Sequence, residues 1–396
     1  MDVRIAWLIQ GDEQWGVRSG SRALIAALQP HGVSCPVIAL GPGEFTTECR
    51  SLGLEVTELG LGATPRMVRN LASNVRQFVR LIRQERRARR LATEALRDLA
   101  ADALHFRRPN LVGIGGPAAH ANGLPAFWHI PNAISSRHPF DLNRRLYQHR
   151  CHRYGIVPLA NSRYTAGTLG DRPVRPRVLY LAVDPARFDP ACIEPVTRAS
   201  LGIDDQSIVV GVAARLHRSK GQDRAVQAAL QLIEEGHDLH LLVIGGPTRG
   251  EFFDRIDGLI RASAHAARIH IVGSVSDIER YYRAMDFSLN CRIDPEPFGI
   301  SVIESMMCAT PTLVHASGGP AESVLDGVTG WHYHGPSTAE IREGLRRAIA
   351  DRQRWPEIGA AARRHAIEHF SLNAQAEKYL GIVRAEIDRR ARPAGV

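Results

Sequence analysis

Short apolar runs alternate with amphipathic stretches along most of this chain, and that alternation is what most limits the folds open to it. Strands of a parallel sheet are buried on both faces and read as unbroken apolar segments, each followed by a helix that carries the chain back. In the first half such runs lie at Val3–Ile9, Ser34–Leu40, Leu111–Ile114, Ala126–Ile130 and Gly155–Ala160. In the second they lie at Ile208–Ala213, His240–Ile244, Ile269–Val272, Phe287–Asn290 and Pro311–His315. The pattern predicts an α/β protein with two βα-repeating domains, and 396 residues are too many for one ordinary core. The join is expected within 172–190, where Pro173, Pro176, Pro185 and Pro190 interrupt regular structure, with Leu179-Tyr180-Leu181 as the last strand before it. The expected domains are therefore 1–182 and 183–372. A helix over 373–396, with Leu380, Ile382, Val383 and Ile387 on one side, is expected to pack back on the first domain.

Composition narrows the function classes. No apolar run approaches the ~18 residues needed to span a bilayer, and Val3–Ile9 reads as a buried strand rather than a secretory leader. The six cysteines, at 35, 49, 151, 192, 291 and 308, are scattered with no metal-ligand spacing, so neither a disulfide framework nor a metal site is expected and a reducing cytoplasm is the default. The net charge of +9 favours anionic partners without choosing among them, and by itself is insufficient to argue for nucleic acid. Much of that charge is concentrated: between Arg66 and Arg108 stand twelve arginines and four acids. Val68, Leu71, Val75, Phe78 and Ile82 recur at helical spacing, beside a basic stripe of Arg69, Arg76, Arg80, Arg83, Arg87 and Arg90. Two readings stay open, a solvated helix face and a surface that docks peripherally on the anionic inner face of a membrane.

Two stretches carry chemistry. Asp294-Pro295-Glu296-Pro297-Phe298-Gly299-Ile300-Ser301 follows an apolar run and opens a helix containing Glu304. Backbone N–H groups at such a helix start, around Gly299 and Ile300, suit a phosphate, and each carboxylate accepts hydrogen bonds from paired hydroxyls. Upstream, Arg215 and Lys220 follow the run ending at Ala213, where a guanidinium fork and an ammonium can neutralise phosphate oxygens.

Taken together, R-x4-K (Arg215, Lys220), E-x7-E (Glu296, Glu304) within Glu-Pro-Phe-Gly, Ala309-Thr310-Pro311, Gly318-Gly319-Pro320-Ala321-Glu322 and Asp326-Gly327-Val328-Thr329-Gly330 resemble the retaining glycosyltransferases of family 4. Linked motifs in order, spanning Gly211–Trp331, are far more specific than any one alone. The first half resembles the family more loosely, through Gly16 in a glycine-containing loop before an apolar helix and His129 at a strand end. Ala309 and Ala214 stand where the family commonly has glycine, and Cys291-Arg292 where Pro-Ser is common, which puts Arg292 in a position to alter sugar selectivity.

The resemblance implies the GT-B architecture, two Rossmann-like domains facing a central cleft, and transfer of a sugar from a nucleotide-sugar with retention of configuration. The donor would be a UDP-sugar, with a GDP-sugar as the alternative, and the acceptor a carbohydrate, a lipid-linked molecule or a small metabolite. It further implies that Glu304 binds the ribose, that Gly273 to Val275 line the base, and that Phe298, Gly299 and Ile300 lie against the donor. Arg215 and Lys220 would stabilise the leaving diphosphate, while Glu296 and His129 hold the transferred sugar. No cofactor or metal is expected. Two other classes share the scaffold: a sugar-nucleotide 2-epimerase and a non-catalytic nucleotide-sugar-binding protein.

Overall fold

A computed structural model describes residues 3–61, 71–134 and 141–391. The chain divides into two compact units, Met1–Tyr180 with Gln375–Val396, and Leu181–Ala374.

The first unit is built on a parallel sheet. Its strands are β1 (Ile5–Ile9), β2 (Val37–Ala39), β3 (Val56–Glu58), β4 (Ala103–Phe106), β5 (Ala126–Ile130), β6 (Ile156–Ala160) and β7 (Arg177–Val178), in the order β3-β2-β1-β4-β5-β6-β7. The strand order reverses between β1 and β4, and ligands of open parallel sheets bind beyond the carboxyl ends at that reversal. β1, β4 and β5 are buried along their whole length, which is why their sequences carry no polar alternation. Trp7 pairs with His105 and His105 with Phe127 across the sheet. On that same face the Leu372–Ala391 helix places Tyr379, whose ring lies edge-on to His105 and Phe127.

Two apolar runs depart from expectation here. Leu111–Ile114 is not a strand, because Val112–Ala121 is a helix. A four-residue apolar run is too short to tell the two periodicities apart, and this helix is buried nearly all round. Its glycines set its depth: a Cβ on Gly116 would stand 2.5 Å from Ile156, and one on Gly115 2.8 Å from Phe106. The strand in that region is the preceding Ala103–Phe106. The last strand of the unit is Arg177–Val178 rather than Leu179–Leu181, with Leu179 N–H adding one more bond to Ala160 O.

The second unit carries β8 (Ile208–Ala213), β9 (Leu239–Ile244), β10 (Ile269–Gly273), β11 (Phe287–Asn290), β12 (Thr312–His315) and β13 (Gly330–Tyr333). They form one parallel sheet in the order β10-β9-β8-β11-β12-β13, reversing between β8 and β11. The Gln222–Glu234 and Thr338–Ala350 helices share its core through Val226, Leu230, Ile341 and Leu345.

The arginine stripe falls on the helix Leu71–Asp98. Arg69 and Val68 lie outside the described residues, as do the side chains of Leu71, Val75, Arg76 and Phe78. Arg80, Arg83, Arg87 and Arg90 are exposed, and Ile82 is 36% exposed. The helix buries a different, later stripe, Ala88, Ala92, Ala95 and Leu96, in the core of the first unit. No described helix is long and apolar enough to cross a membrane.

Candidate active site

Both chemical stretches of the second unit emerge where its strand order reverses. β8 delivers the Arg215–Lys220 loop and the neighbouring β11 delivers the Cys291–Gly299 loop. They are stitched together by Ile293 N–H donating to Ser219 O at 3.0 Å and Cys291 Sγ donating to Lys220 O at 3.1 Å. Gly221 adopts a left-handed φ of 73°, and a Cβ there would meet Cys291 O at 2.1 Å, so only glycine lets the loops approach this closely.

That closeness puts Lys220 Nζ 2.5 Å from Glu296 Oε2. Arg292 Nη1 donates to the other oxygen, Oε1, at 2.8 Å, while its Nε and Nη2 grip Asp294 at 3.1 and 2.9 Å. Arg292 thereby holds Asp294 below the usual carboxylate range. Glu296 is thus clamped between two cations, with 11% of its side chain exposed. Removing one member of such a shielded pair typically costs about 3–5 kcal/mol, because the partner charge is left uncompensated. Arg215 is exposed on the same loop, where Gln222 Nε2 donates to its carbonyl at 3.0 Å.

The Glu296 loop is also braced from behind. Gly319 N–H donates to Glu296 O at 2.8 Å, and Gly318 lies in a backbone bridge with Glu296. A Cβ on Gly318 would be 2.4 Å from Glu296 O, and one on Gly319 2.5 Å from the Phe298 Cα. Gly299 takes a left-handed φ of 86° before the Ile300–Met307 helix. Phe298 is buried beneath it, edge-on to Phe370, and Ile300 is 38% exposed. One turn on, Tyr282 Oη lies 3.3 Å from Glu304 Oε2, and burial pushes the Glu304 carboxyl up to about 7 against the opposing pull of Arg187. Gly273, at the end of β10, accepts from Gly245 N–H at 2.7 Å; Val275 follows it, partly exposed.

Gly16 and His129 belong to the first unit. Gly16 is not in the loop before the helix but in the first turn of the Trp15–Leu28 helix, where a Cβ would meet nothing within 4 Å. The close approaches fall instead on Gly11, Gly41 and Gly43, whose added Cβ atoms would lie 2.1–2.4 Å from backbone oxygens. His129 is fully buried on β5, and burial keeps it neutral, well below its usual range. Neither Tyr282 nor Arg187 is a candidate site residue from the sequence, because nothing in the spacing places either near Glu304 and only the fold brings them there. No group of three or more His, Cys, Asp or Glu among the described residues is placed to hold a metal.

Residues 194–365 match the family model for glycosyl transferases group 1. Among curated proteins, the D-inositol 3-phosphate glycosyltransferase of Salinispora arenicola is 31% identical over 229 residues, covering 52% of this chain and 50% of its own. The GDP-mannose-dependent alpha-(1-6)-phosphatidylinositol monomannoside mannosyltransferase of Mycolicibacterium smegmatis is 29% identical over 197 residues, covering 48% and 50%. The chain spans about half the length of the curated relatives it matches. Among solved structures, Anabaena Alr3699/HepE in complex with UDP superposes with a TM-score of 0.79 at 20% identity, over 97% of this chain and 100% of that one. A glycosyltransferase from Rickettsia africae gives 0.79 at 21%, over 98% and 99%. The fold is therefore that of the GT-B glycosyltransferases.

Proposed function

We propose that this chain, whose residues 194–365 belong to the group 1 glycosyl transferases, moves a sugar from a nucleotide-sugar onto an acceptor with retention of configuration. The observation that carries the reading is the clamp at the β8/β11 reversal, where Lys220, Arg292 and Glu296 meet beside the loop of Arg215. Before the donor arrives, Glu296 holds both cations in place. On binding, Arg215 and Lys220 turn to the diphosphate and stabilise the charge that grows there as the glycosidic bond breaks. Glu296 is released to accept hydroxyls of the transferred sugar, and Glu304 accepts those of the ribose. The leaving phosphate oxygen takes the acceptor's proton on the same face of the sugar, so no protein nucleophile is used. In this reading the two side chains supply the positive charge, and turnover persists in EDTA.

The donor is a UDP-sugar in the first instance and a GDP-sugar in the second; one relative is named for GDP-mannose, and one solved neighbour holds UDP. The relatives' names also favour an acceptor bearing phosphate, either a free phosphorylated polyol or a phosphorylated lipid headgroup. The exposed Arg80, Arg83, Arg87 and Arg90 support contact with an anionic bilayer for a lipid-borne acceptor, at about 1 kcal/mol for each engaged arginine. Sedimentation with anionic and neutral vesicles at low and physiological salt tests that contact. Adsorption unchanged by Arg-to-Gln substitution along the stripe counts against it.

The transferase reading is tested by screening UDP- and GDP-sugars for thermal stabilisation and slow hydrolysis, then fixing the anomeric configuration of the product. Lys220→Ala and Arg215→Ala are expected to lose at least about a hundredfold in kcat, several kcal/mol of transition-state stabilisation. Retention of more than about a tenth of wild-type kcat removes the leaving-group role.

A further inference from the structure

At the other reversal point, between β1 and β4 of the first unit, a buried cation stands without a counter-ion among the described residues. Arg107 is the first residue beyond β4 and retains only 4% exposure. Its Nε and Nη1 have no hydrogen-bond partner, and among the described residues it forms no ion pair. Burial pulls its pKa down to about 10, with no carboxylate opposing that shift. The adjacent Arg108 is the contrast: Gln10 accepts from it, and Asp12 and Glu13 lie 3.6 and 4.0 Å away.

The surroundings of Arg107 add donors, not acids. His105 and His129, on the same sheet face, are both fully buried, with ring centroids 5.8 Å apart. Among the described residues, the only hydrogen-bonding group acting on the His129 ring is the Leu179 backbone, whose contact falls short of good hydrogen-bond geometry, and His105 spends Nδ1 on Tyr379 Oη at 2.8 Å while Nε2 stays unpaired. The fold makes room for the guanidinium against the Trp15–Leu28 helix, where a Cβ on Gly20 would lie 2.4 Å from Arg107 Nη1. A buried, uncompensated guanidinium is among the costlier features a core can hold, and replacing it with an apolar side chain of similar volume is commonly neutral or stabilising. A neutral hydroxyl would satisfy the imidazoles and leave the charge unanswered. An anion satisfies both, and it would sit beyond the carboxyl ends of the strands where such sheets bind ligands.

We propose that Arg107, with His129 beside it, binds a phosphate group, and that this phosphate is carried by the acceptor. The anion site stands on the first unit's geometry alone; its assignment to the acceptor rests on the transferase reading. Recognition then precedes chemistry: a phosphorylated acceptor is selected by its charge and its unphosphorylated counterpart is not.

The test titrates inorganic phosphate onto the full chain at constant ionic strength, by calorimetry and by thermal shift, for wild type, Arg107→Met, Arg107→Lys and Gly20→Ala. Wild type is expected to bind phosphate and gain thermal stability as phosphate rises to about 50 mM. Arg107→Met should lose about tenfold or more in phosphate affinity, yet melt no lower than wild type in phosphate-free buffer. A guanidinium kept for structure would give the opposite, a lower melting temperature with the phosphate response intact, and that result overturns the proposal. Arg107→Lys keeps a cation and should retain part of the response, whereas Gly20→Ala displaces the guanidinium and should weaken it. If Arg107→Met instead weakens UDP or GDP about tenfold, the anion is the donor's diphosphate and the acceptor assignment falls. Phosphate binding at Arg107 in a chain inert toward every nucleotide-sugar would sustain the site and remove the transferase reading. An active enzyme indifferent to phosphate removes the site.

Discussion

Glu304 shows how one buried carboxyl ties ligand affinity to pH. Burial pushes it up to about 7, with Tyr282 and Arg187 only partly offsetting the cost of the charged form. If the carboxylate accepts the ribose hydroxyls, nucleotide affinity should rise as pH passes upward through about 7, by about tenfold between pH 6 and pH 8. Calorimetric titration of UDP and GDP across that range should show the rise in wild type and a flat profile in Glu304→Gln. For stability the sign is reversed. A carboxyl raised in the folded chain favours folding fully below its unfolded value, and that contribution is lost as pH rises through about 7. Ala309 carries a different burden, a left-handed φ of 58° that strains any residue with a Cβ. Relief of that strain, about 1–2 kcal/mol, outweighs the extra unfolded-chain entropy of glycine. Ala309→Gly should therefore stabilise the chain by roughly 0.5–1 kcal/mol in urea denaturation. An unchanged or lower midpoint would show that neighbouring packing, not backbone strain, governs the site.

The elements around Glu296 owe their geometry to backbone contacts. The Gly318–Gly319 segment lies so close behind the loop that its missing side chains are part of the site's architecture. Gly318→Ala combines a left-handed φ of 76° with a clash against backbone that cannot rotate away, so a loss of roughly 2–4 kcal/mol is expected. Gly53 has nearly the same φ, 74°, with nothing within 4 Å of an added Cβ. Gly53→Ala should cost only the conformational part, about 1 kcal/mol, and leave turnover alone. Activity should fall in the Gly318 variant by more than its stability loss explains, because the displaced backbone carries Glu296. Comparing kcat well below both melting temperatures checks this, and equal kcat would free the Gly318 contact from any part in positioning.

Across the whole molecule, the chain uses its last helix to close the first unit. Arg177 pairs with Glu386 at 2.6 Å, Arg390 donates to Gly155 O and Leu124 O at 2.9 and 2.8 Å, and Tyr379 caps His105. The thiols report on packing across both units. Cys35, Cys49, Cys151, Cys291 and Cys308 are buried and Cys192 is exposed. Burial pushes Cys35, Cys151, Cys291 and Cys308 up to about 12 and Cys49 up to about 11. A thiolate-specific reagent at pH 8 should therefore label one thiol per native chain and six after denaturation. Rapid labelling of two or more thiols in the native chain would show that one of these cores opens.

The apolar runs at Ile5–Ile9, Ala126–Ile130, Ile208–Ala213 and Phe287–Asn290 determined parallel, doubly covered sheets by themselves, because a strand buried on both faces has no polar alternation to hide. Where a run was short and glycine-rich, as at Leu111–Ile114, burial on all sides made helix and strand read alike, and only packing against Phe106 and Ile156 decided between them. The spacing of Arg215, Lys220, Glu296 and Glu304 was legible as two motifs, but nothing in it told that Lys220 and Glu296 touch. That contact spans 76 residues and exists because β8 and β11 are neighbours across the reversal. Arg107 carried no sequence signal beyond a basic pair following an apolar run. Its state, a buried charge without a counter-ion among the described residues, depends on which side chains the tertiary fold leaves out of reach, and local sequence does not encode that.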